Sequence, residues 1–396
     1  MEEPTTVGQR IAYYRRRRGL TQQVLAGLVG RTTSWLSKVE RGELTIDRVS
    51  LILALANVLK IEPSQLIGGI TLPANGGAPT DPPQGIPAIR RAVLAVRAPD
   101  DEPLDAATLR AEVERINREH VVEGRYQSVA LALPELLDAG RVAVAHEVLG
   151  AWWCLADAYR MASSLARGLG EVELAWIAAD RAVTAAQRSG DPLLVALSEQ
   201  LVANALMRHG WLDEAATVCS NAVDGIAPTS ATTIQGWAVW GTVHLTQAVA
   251  AVRGGDAAAG WHLLRNAEIA AERVGPGRND YWEAFGPANL NAISVTIALE
   301  TGDVEEALRI ADDVDLADLP NAARRARYLC SVAQAQALRR DDGATVALLL
   351  EAEHHSAEEI RYSVLAHELV RVCLSRERRS RTPGLRGLAA RIGITN

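Results

Sequence analysis

The sequence predicts an all-α protein built from a small basic head and a large acidic body of repeated helices. Three observations carry that expectation. The 396 residues are Ala- and Leu-rich, 48% hydrophobic and only 4% aromatic, a composition of strong helix formers. Beyond residue 104, helical patterns of 14–25 residues alternate with short breaks, and no alternating strand pattern interrupts them. Charge is also divided unevenly. The formal net charge is −7, yet residues 1–67 hold ten Lys or Arg and six Asp or Glu, a local +4, which leaves −11 on the rest. Such sign asymmetry suggests two domains with different partners.

The length suits two or three domains, and the apolar content is ample for packed cores. No apolar run approaches the roughly 20 residues that span a bilayer, and the N-terminus lacks the apolar core of a signal peptide. A membrane partner is therefore not expected. The four cysteines, Cys154, Cys219, Cys330 and Cys373, form no CxxC. They suggest a reduced, cytoplasmic setting.

In the head, residues 21–42 read TQQVLAGLVGRTTSWLSKVERG. Thr21 is a good N-cap before the apolar residues Val24, Leu25 and Leu28. Gly30 supplies a turn whose positive φ would burden any other residue. Thr32 can cap a second helix with Leu36 and Val39 inward. Ala26 is small where the helices cross, and Gly42 ends the second helix. Together these features at these spacings predict a helix-turn-helix.

Residues 7–67 resemble the lambda-repressor-like, XRE-type DNA-binding domain, which implies five helices over residues 1–67. The resemblance rests on Leu20-Thr21-Gln22, Leu25-Ala26 and Gly30, on Glu40-Arg41-Gly42, and on the later Leu55-Ala56-Asn57-Val58-Leu59 and Pro63-Ser64-Gln65-Leu66. It implies an architectural pair between Arg15 and Glu40, with Ala26 and Gly30 also structural. It places Thr33, Ser34 and Lys38 at base-reading positions, with Ser37 beside them on the outward face. A helix in the major groove meets a distinguishable donor and acceptor pattern on each base pair. Gln22, Thr32 and Arg41 are candidate phosphate contacts, as are Arg17 and Arg18 from the basic run that closes the first helix. One such domain covers few base pairs, so a homodimer on a pseudo-palindromic double-stranded operator is expected.

Residues 68–103 contain seven of the sixteen prolines and five glycines, the density of a linker. Within it, Ile86–Val96 has Ile89, Val93 and Val96 at helical spacing, which predicts a short docking helix. From 104 to 396 a signal recurs, a Gly followed five residues later by Ala, at Gly170–Ala175, Gly210–Ala215 and Gly302–Ala307. Related breaks fall at Gly254-Gly255 and Asp342-Gly343, so the spacings are 40, about 45, about 47 and 40. A helix-pair repeat of that period predicts an α-solenoid, TPR-like with lengthened helices.

The body carries no phosphate loop, dinucleotide fingerprint, nucleophile elbow or HExxH pair. No enzyme activity, cofactor or metal is expected, and His354-His355 reads as a solvated face. Its most unusual segment is Asn279–Asn291, which joins three aromatics, a Gly-Pro break and three amides. Trp282, Phe285, Asn289 and Asn291 from this segment, with Trp237, Trp240 and His244 on one helical face upstream, are candidates for a peptide or small-molecule pocket. Equally, they can be filling gaps between Ala-rich helices. Asn204 is a weaker candidate. The whole arrangement is similar to actinobacterial XRE–TPR regulators, which implies a dimeric transcriptional regulator whose repeat domain dimerises or senses a ligand. The competing expectations are an interaction scaffold localised by its helix-turn-helix, and a constitutive repressor whose repeats only dimerise.

Overall fold

The computed structural model describes residues 7–29, 31–41, 55–56, 58–59, 83–230, 233–319, 321–377 and 382–394. These residues are helical or irregular, with no strand among them. The chain divides into two compact units, residues 1–73 with 298–303, and residues 74–297 with 304–396. Gly30, Gly42, Pro63–Leu66 and most of the expected linker lie outside the described residues.

In the first unit, α1 (Val7–Arg17), α2 (Gln22–Leu28) and α3 (Thr33–Glu40) surround a core of Ile11, Leu25, Ala26, Leu36 and Val39, joined by Leu55, Ala56 and Leu59. Thr21 Oγ1 accepts from the Val24 amide at 3.2 Å, and Thr32 Oγ1 from the Trp35 amide at 3.2 Å. Each satisfies one of the amides a helix start leaves orphaned. The inward stripe of α2 is narrower than its apolar residues suggest. Leu25 and Ala26 are buried, whereas Val24 and Leu28 are exposed, because a seven-residue helix turns only one edge to the core. Gly8 is a close-approach glycine, since a Cβ there would lie 2.0 Å from the Val39 carbonyl oxygen.

The second unit begins earlier than residue 104. Helix α4 (Ile86–Leu94) buries Ile86, Ile89, Ala92 and Val93 and packs on α6 (Tyr126–Ala145). A Cβ on Gly85 would lie 1.8 Å from the Ala130 carbonyl oxygen, and Arg141 of α6 donates to the Ala92 carbonyl. The docking helix is thus part of the body, while Val96 falls beyond its end and is exposed.

Helix α5 (Ala106–Asn117), a π-helical turn (Arg118–Glu123) and α6 lead into five helix pairs. These are α7 (Ala151–Gly168) with α8 (Val172–Ser189), α9 (Pro192–Arg208) with α10 (Leu212–Ser230), and α11 (Ile234–Arg253) with α12 (Ala257–Val274). Then come α13 (Pro287–Glu300) with α14 (Val304–Asp312), and α15 (Ala322–Leu338) with α16 (Asp342–His355). Within each pair the connection is a three-residue turn, too short for anything but an antiparallel return. Its middle residue takes positive φ: Gly170, Gly210, Gly255, Gly302 and Arg340. Its third residue donates its amide to the carbonyl five positions back, as Glu171 to Ala166 at 2.9 Å and Asp341 to Gln336 at 3.0 Å. This is the Schellman closure, which favours glycine at the left-handed position.

Five residues after each left-handed residue stands a small buried residue: Ala175, Ala215, Gly260, Ala307 and Thr345. At the third pair even a methyl is too large, since a Cβ on Gly260 would lie 2.2 Å from Val252 Cγ2. The last turn falls at Arg340-Asp341 and not at Asp342-Gly343. The reason is that Asp341, not glycine, caps α16, accepting from the Ala344 amide at 3.0 Å, and Gly343 lies inside the helix. Arg340 therefore holds φ 61° where the other four turns use glycine. A non-glycine residue in this region costs about 1–2 kcal/mol, and the Arg340 side chain is exposed, with no partner among the described residues to offset it. Arg340→Gly is expected to stabilise the protein by about 1 kcal/mol, less the added flexibility of the unfolded chain. A higher midpoint in urea denaturation checks this, and an unchanged or lower midpoint refutes it.

Helices α17 (Ala357–Tyr362), α18 (Val364–Ser375) and α19 (Leu385–Arg391) follow the last pair. The two ends of the array meet there. Tyr126, which opens α6, donates to Glu359 of α17 at 2.5 Å, and the Gln127 amide donates to Glu358 at 2.8 Å. Gly124, at φ 66°, sits against Ser356, and Tyr126 packs edge-on to both His120 and Tyr362. No helix among the described residues is long and apolar enough to cross a membrane.

Candidate functional site

In the head, α3 presents its outer face under firm support from behind. Arg15 grips Glu40 with two parallel bonds, Nε to Oε1 at 2.6 Å and Nη2 to Oε2 at 2.8 Å, while its Nη1 donates to the Leu20 carbonyl at 2.9 Å. Gln22 Nε2 adds a third donor to Glu40 Oε2 at 2.8 Å. One buried carboxylate therefore ties the ends of α1 and α3 to the start of α2. Burial alone would raise the Glu40 carboxyl. The bonds from Arg15 and Gln22, with the charges of Arg15 and Arg16, hold it below the usual carboxylate range. The turn between α2 and α3 is closed by the Arg31 amide donating to the Ala26 carbonyl at 2.8 Å.

With Leu36 and Val39 turned inward, Thr33, Ser34 and Lys38 are exposed and Ser37 and Trp35 are half-buried. Ser34 and Lys38 stand one helical turn apart on one strip, and Thr33 and Ser37 on the adjacent one. Ser37 Oγ accepts from Arg41 at 2.8 Å, and the Arg31 guanidinium lies 5.8 Å from the Trp35 ring centroid. Arg17, Arg18, Arg31 and Arg41 are exposed, as is Thr32. The face thus combines short hydroxyl side chains with one long amine and a surround of guanidinium groups. Chemically it can donate hydrogen bonds to base edges and neutralise phosphates.

The candidate residues of the body separate into different environments. Phe285 is 2% exposed and fills a gap opened by Gly241, so it belongs to the core and is not a pocket wall. Trp237 and Trp240 are half-buried and edge-on at 5.5 Å, and Trp237 lies under the Arg273 guanidinium at 4.2 Å. His244 is buried 3.9 Å from the Trp240 ring centroid, and burial pushes its imidazole down to about 4, so it is neutral at ordinary pH. Asn289 is buried with its Oδ1 taken by Arg324, Asn204 donates to the Gln200 carbonyl at 3.1 Å, and Asn291 is half-buried. Trp282 alone of the set lines an open cavity of about 310 Å³, together with Arg110, Trp153, Asp280 and Tyr281.

A buried polar network among the first helices of the pairs is absent from the sequence-based candidates. Asp157 of α7 is 1% exposed and accepts from Asn117 at 2.5 Å and from Arg160 at 2.6 Å. Arg160 also donates to Glu283 at 2.5 Å, and Arg324 of α15 donates to the Glu283 carbonyl. Arg327 pairs with Glu359 at 3.4 Å. Glu283 belongs to the long link 275–286 between α12 and α13, where Tyr281, Trp282 and Ala284 take positive φ.

The family described as a helix-turn-helix domain matches residues 6–66, and no curated protein matches the chain. The N-terminal unit is accordingly a helix-turn-helix domain, and the protein is a DNA-binding regulator of that class joined to a helical-repeat body.

Proposed function

We propose that the protein is a sequence-specific, cytoplasmic transcriptional regulator that binds a pseudo-palindromic operator as a homodimer. Its TPR-like body serves dimerisation and senses a small molecule or peptide, not catalysis, an organisation similar to actinobacterial XRE–TPR regulators. Residues 1–67 bind DNA and the repeats beyond residue 103 carry the regulatory role. The observation that carries this reading is the Arg15–Glu40–Gln22 clamp, which holds α3 with Thr33, Ser34 and Lys38 outward. Those residues with Ser37 read bases, and Thr32, Gln22, Arg17, Arg18 and Arg41 hold phosphates. Ligand binding acts on DNA affinity only through differential affinity for two arrangements of the dimer.

Lys38 is the one long donor on the reading face, so it is assigned to guanine O6 and N7, a contact worth about 1–3 kcal/mol of discrimination. On the site that the wild type selects from random duplexes, Lys38→Ala should lose affinity roughly tenfold and accept other bases at one position. Affinity for random DNA should fall far less. Equal losses on both would remove Lys38 from base reading.

A further inference from the structure

The polar interior of the body holds more positive charge than it neutralises. Five guanidinium groups belong to it: Arg160 on α7 is buried, Arg167 on α7, Arg208 on α9 and Arg324 on α15 are half-buried, and Arg327 on α15 has its side chain 46% exposed. Three carboxylates face them, and each is already engaged. Asp157 and Glu283 are taken by Arg160, and Glu359 by Arg327 and Tyr126. Among the described residues the Arg324 side chain donates only to neutral oxygens, the Asn289 amide and the Glu283 carbonyl. Arg167 and Arg208 have no hydrogen bond or ion pair among the described residues.

The orphaned atoms point the same way. Arg160 Nε, Arg167 Nε, Arg324 Nε and His120 Nδ1 are sealed from solvent without a partner, and Arg160 is itself only 6% exposed. These groups sense one another. Burial, then the charges of Arg327 and Arg167, pushes the His120 imidazole down to about 3. Burial, then Arg167 and Arg253, lowers Arg208 to about 10, and burial with Arg327 and Arg167 lowers Arg324 to about 10 as well. A buried charge without a partner is costly. Three half-buried guanidinium groups stand without a carboxylate among the described residues, two of them with a sealed, unpartnered Nε, an arrangement suited to something that brings negative charge.

Tyr281 lines the open 310 Å³ cavity, and its carbonyl oxygen accepts from Arg160 at 3.4 Å. Three of the four residues Tyr281–Ala284 are in the left-handed region, each at a cost of about 1–3 kcal/mol. The link is held by Tyr281 Oη donating to Asp191 at 2.9 Å and by Glu283 on Arg160. Glu283 offers the cluster a carboxylate from a strained segment, in the position an exogenous oxyanion would take.

We propose that the Arg160–Arg167–Arg208–Arg324 cluster is the binding site of a small molecule with two or more anionic oxygens, phosphate or carboxylate, which competes with Glu283. Guanidinium forks match both groups in bidentate geometry. This inference rests on the ligand-sensing reading above and specifies the chemistry of the ligand.

The test uses the full-length protein with pyrophosphate and citrate as probes, against sodium chloride at equal ionic strength. Titration calorimetry should show one site per chain, the two probes separating phosphate from carboxylate preference. Arg167→Gln and Arg208→Gln should each weaken binding roughly tenfold or more. Because neither side chain makes a bond in the structure, both variants should fold, and they should melt at or above the wild-type temperature without anion. Loss of binding together with retained or raised melting temperature supports the site. Absence of binding by both probes, or undiminished binding in Arg167→Gln, overturns it. Binding that leaves operator affinity unchanged upholds the site and overturns the sensing role instead.

Discussion

Arg15→Ala is expected to cost the helix-turn-helix unit about 3–5 kcal/mol. The Arg15 and Glu40 side chains are 10% and 5% exposed, so the pair is not one that solvent screens. Removing the guanidinium leaves Glu40 buried with Gln22 as its only side-chain donor among the described residues and the Leu20 carbonyl without the bond from Arg15. Hydrogen exchange in peptides covering α1 and α3 should accelerate together, with loss of DNA binding. Replacing both partners, Arg15→Met with Glu40→Leu, should recover much of the stability, because paired apolar groups leave no orphaned charge. A single-variant cost below about 1 kcal/mol, the range of exposed pairs, would show that the clamp is not what holds α3.

The same carboxylate sets an acid limit. Its folded pKa lies below the ordinary value of 4.5. Its contribution to stability is therefore complete above about 4.5 and is lost as pH falls through the lower, folded value. Protection of α1 and α3 should decline only in that acid window, and the decline should vanish in the double variant.

The capping logic of the head was legible in sequence because it is local. Thr21 and Thr32 act within three residues of themselves, and Leu36 and Val39 follow from one helical period. Gly8 was not legible, since its reason is a carbonyl 31 residues away. The repeats showed through their left-handed glycines, and the fifth was misplaced by two residues because an arginine occupies that position. The interior arginines escaped notice for a different reason. Arg167 and Arg208 each stand in the last turn of a helix, where a cation is ordinary on macrodipole grounds. Their nearness comes from the packing of α7 on α9, between residues 41 apart in the chain, which no local pattern encodes. The aromatic segment 279–291 stood out by composition, but composition does not distinguish Phe285, a core residue, from Trp282 at an open cavity.

Phe285→Ala should be the most damaging single change in the body, at about 3–5 kcal/mol for a buried phenylalanine. The ring is 2% exposed and fits only because residue 241 lacks a side chain. A Cβ there would lie 2.1 Å from Phe285 Cζ. Gly241→Ala alone should therefore destabilise by about 1–3 kcal/mol through overpacking. In the Phe285→Ala background the same methyl enters a void, and alanine is better than glycine inside α11 by about 1 kcal/mol. Gly241→Ala should then stabilise, a reversal of sign that a double-mutant cycle in urea reads directly. Additive costs would mean that the helix and the ring do not constrain each other. The consequence reaches the interior site, because Phe285 follows directly on the strained residues 281–284. With the ring removed, Glu283 should release Arg160 more readily, and hydrogen exchange across 278–284 should rise in the Phe285→Ala protein before the rest of the body loosens.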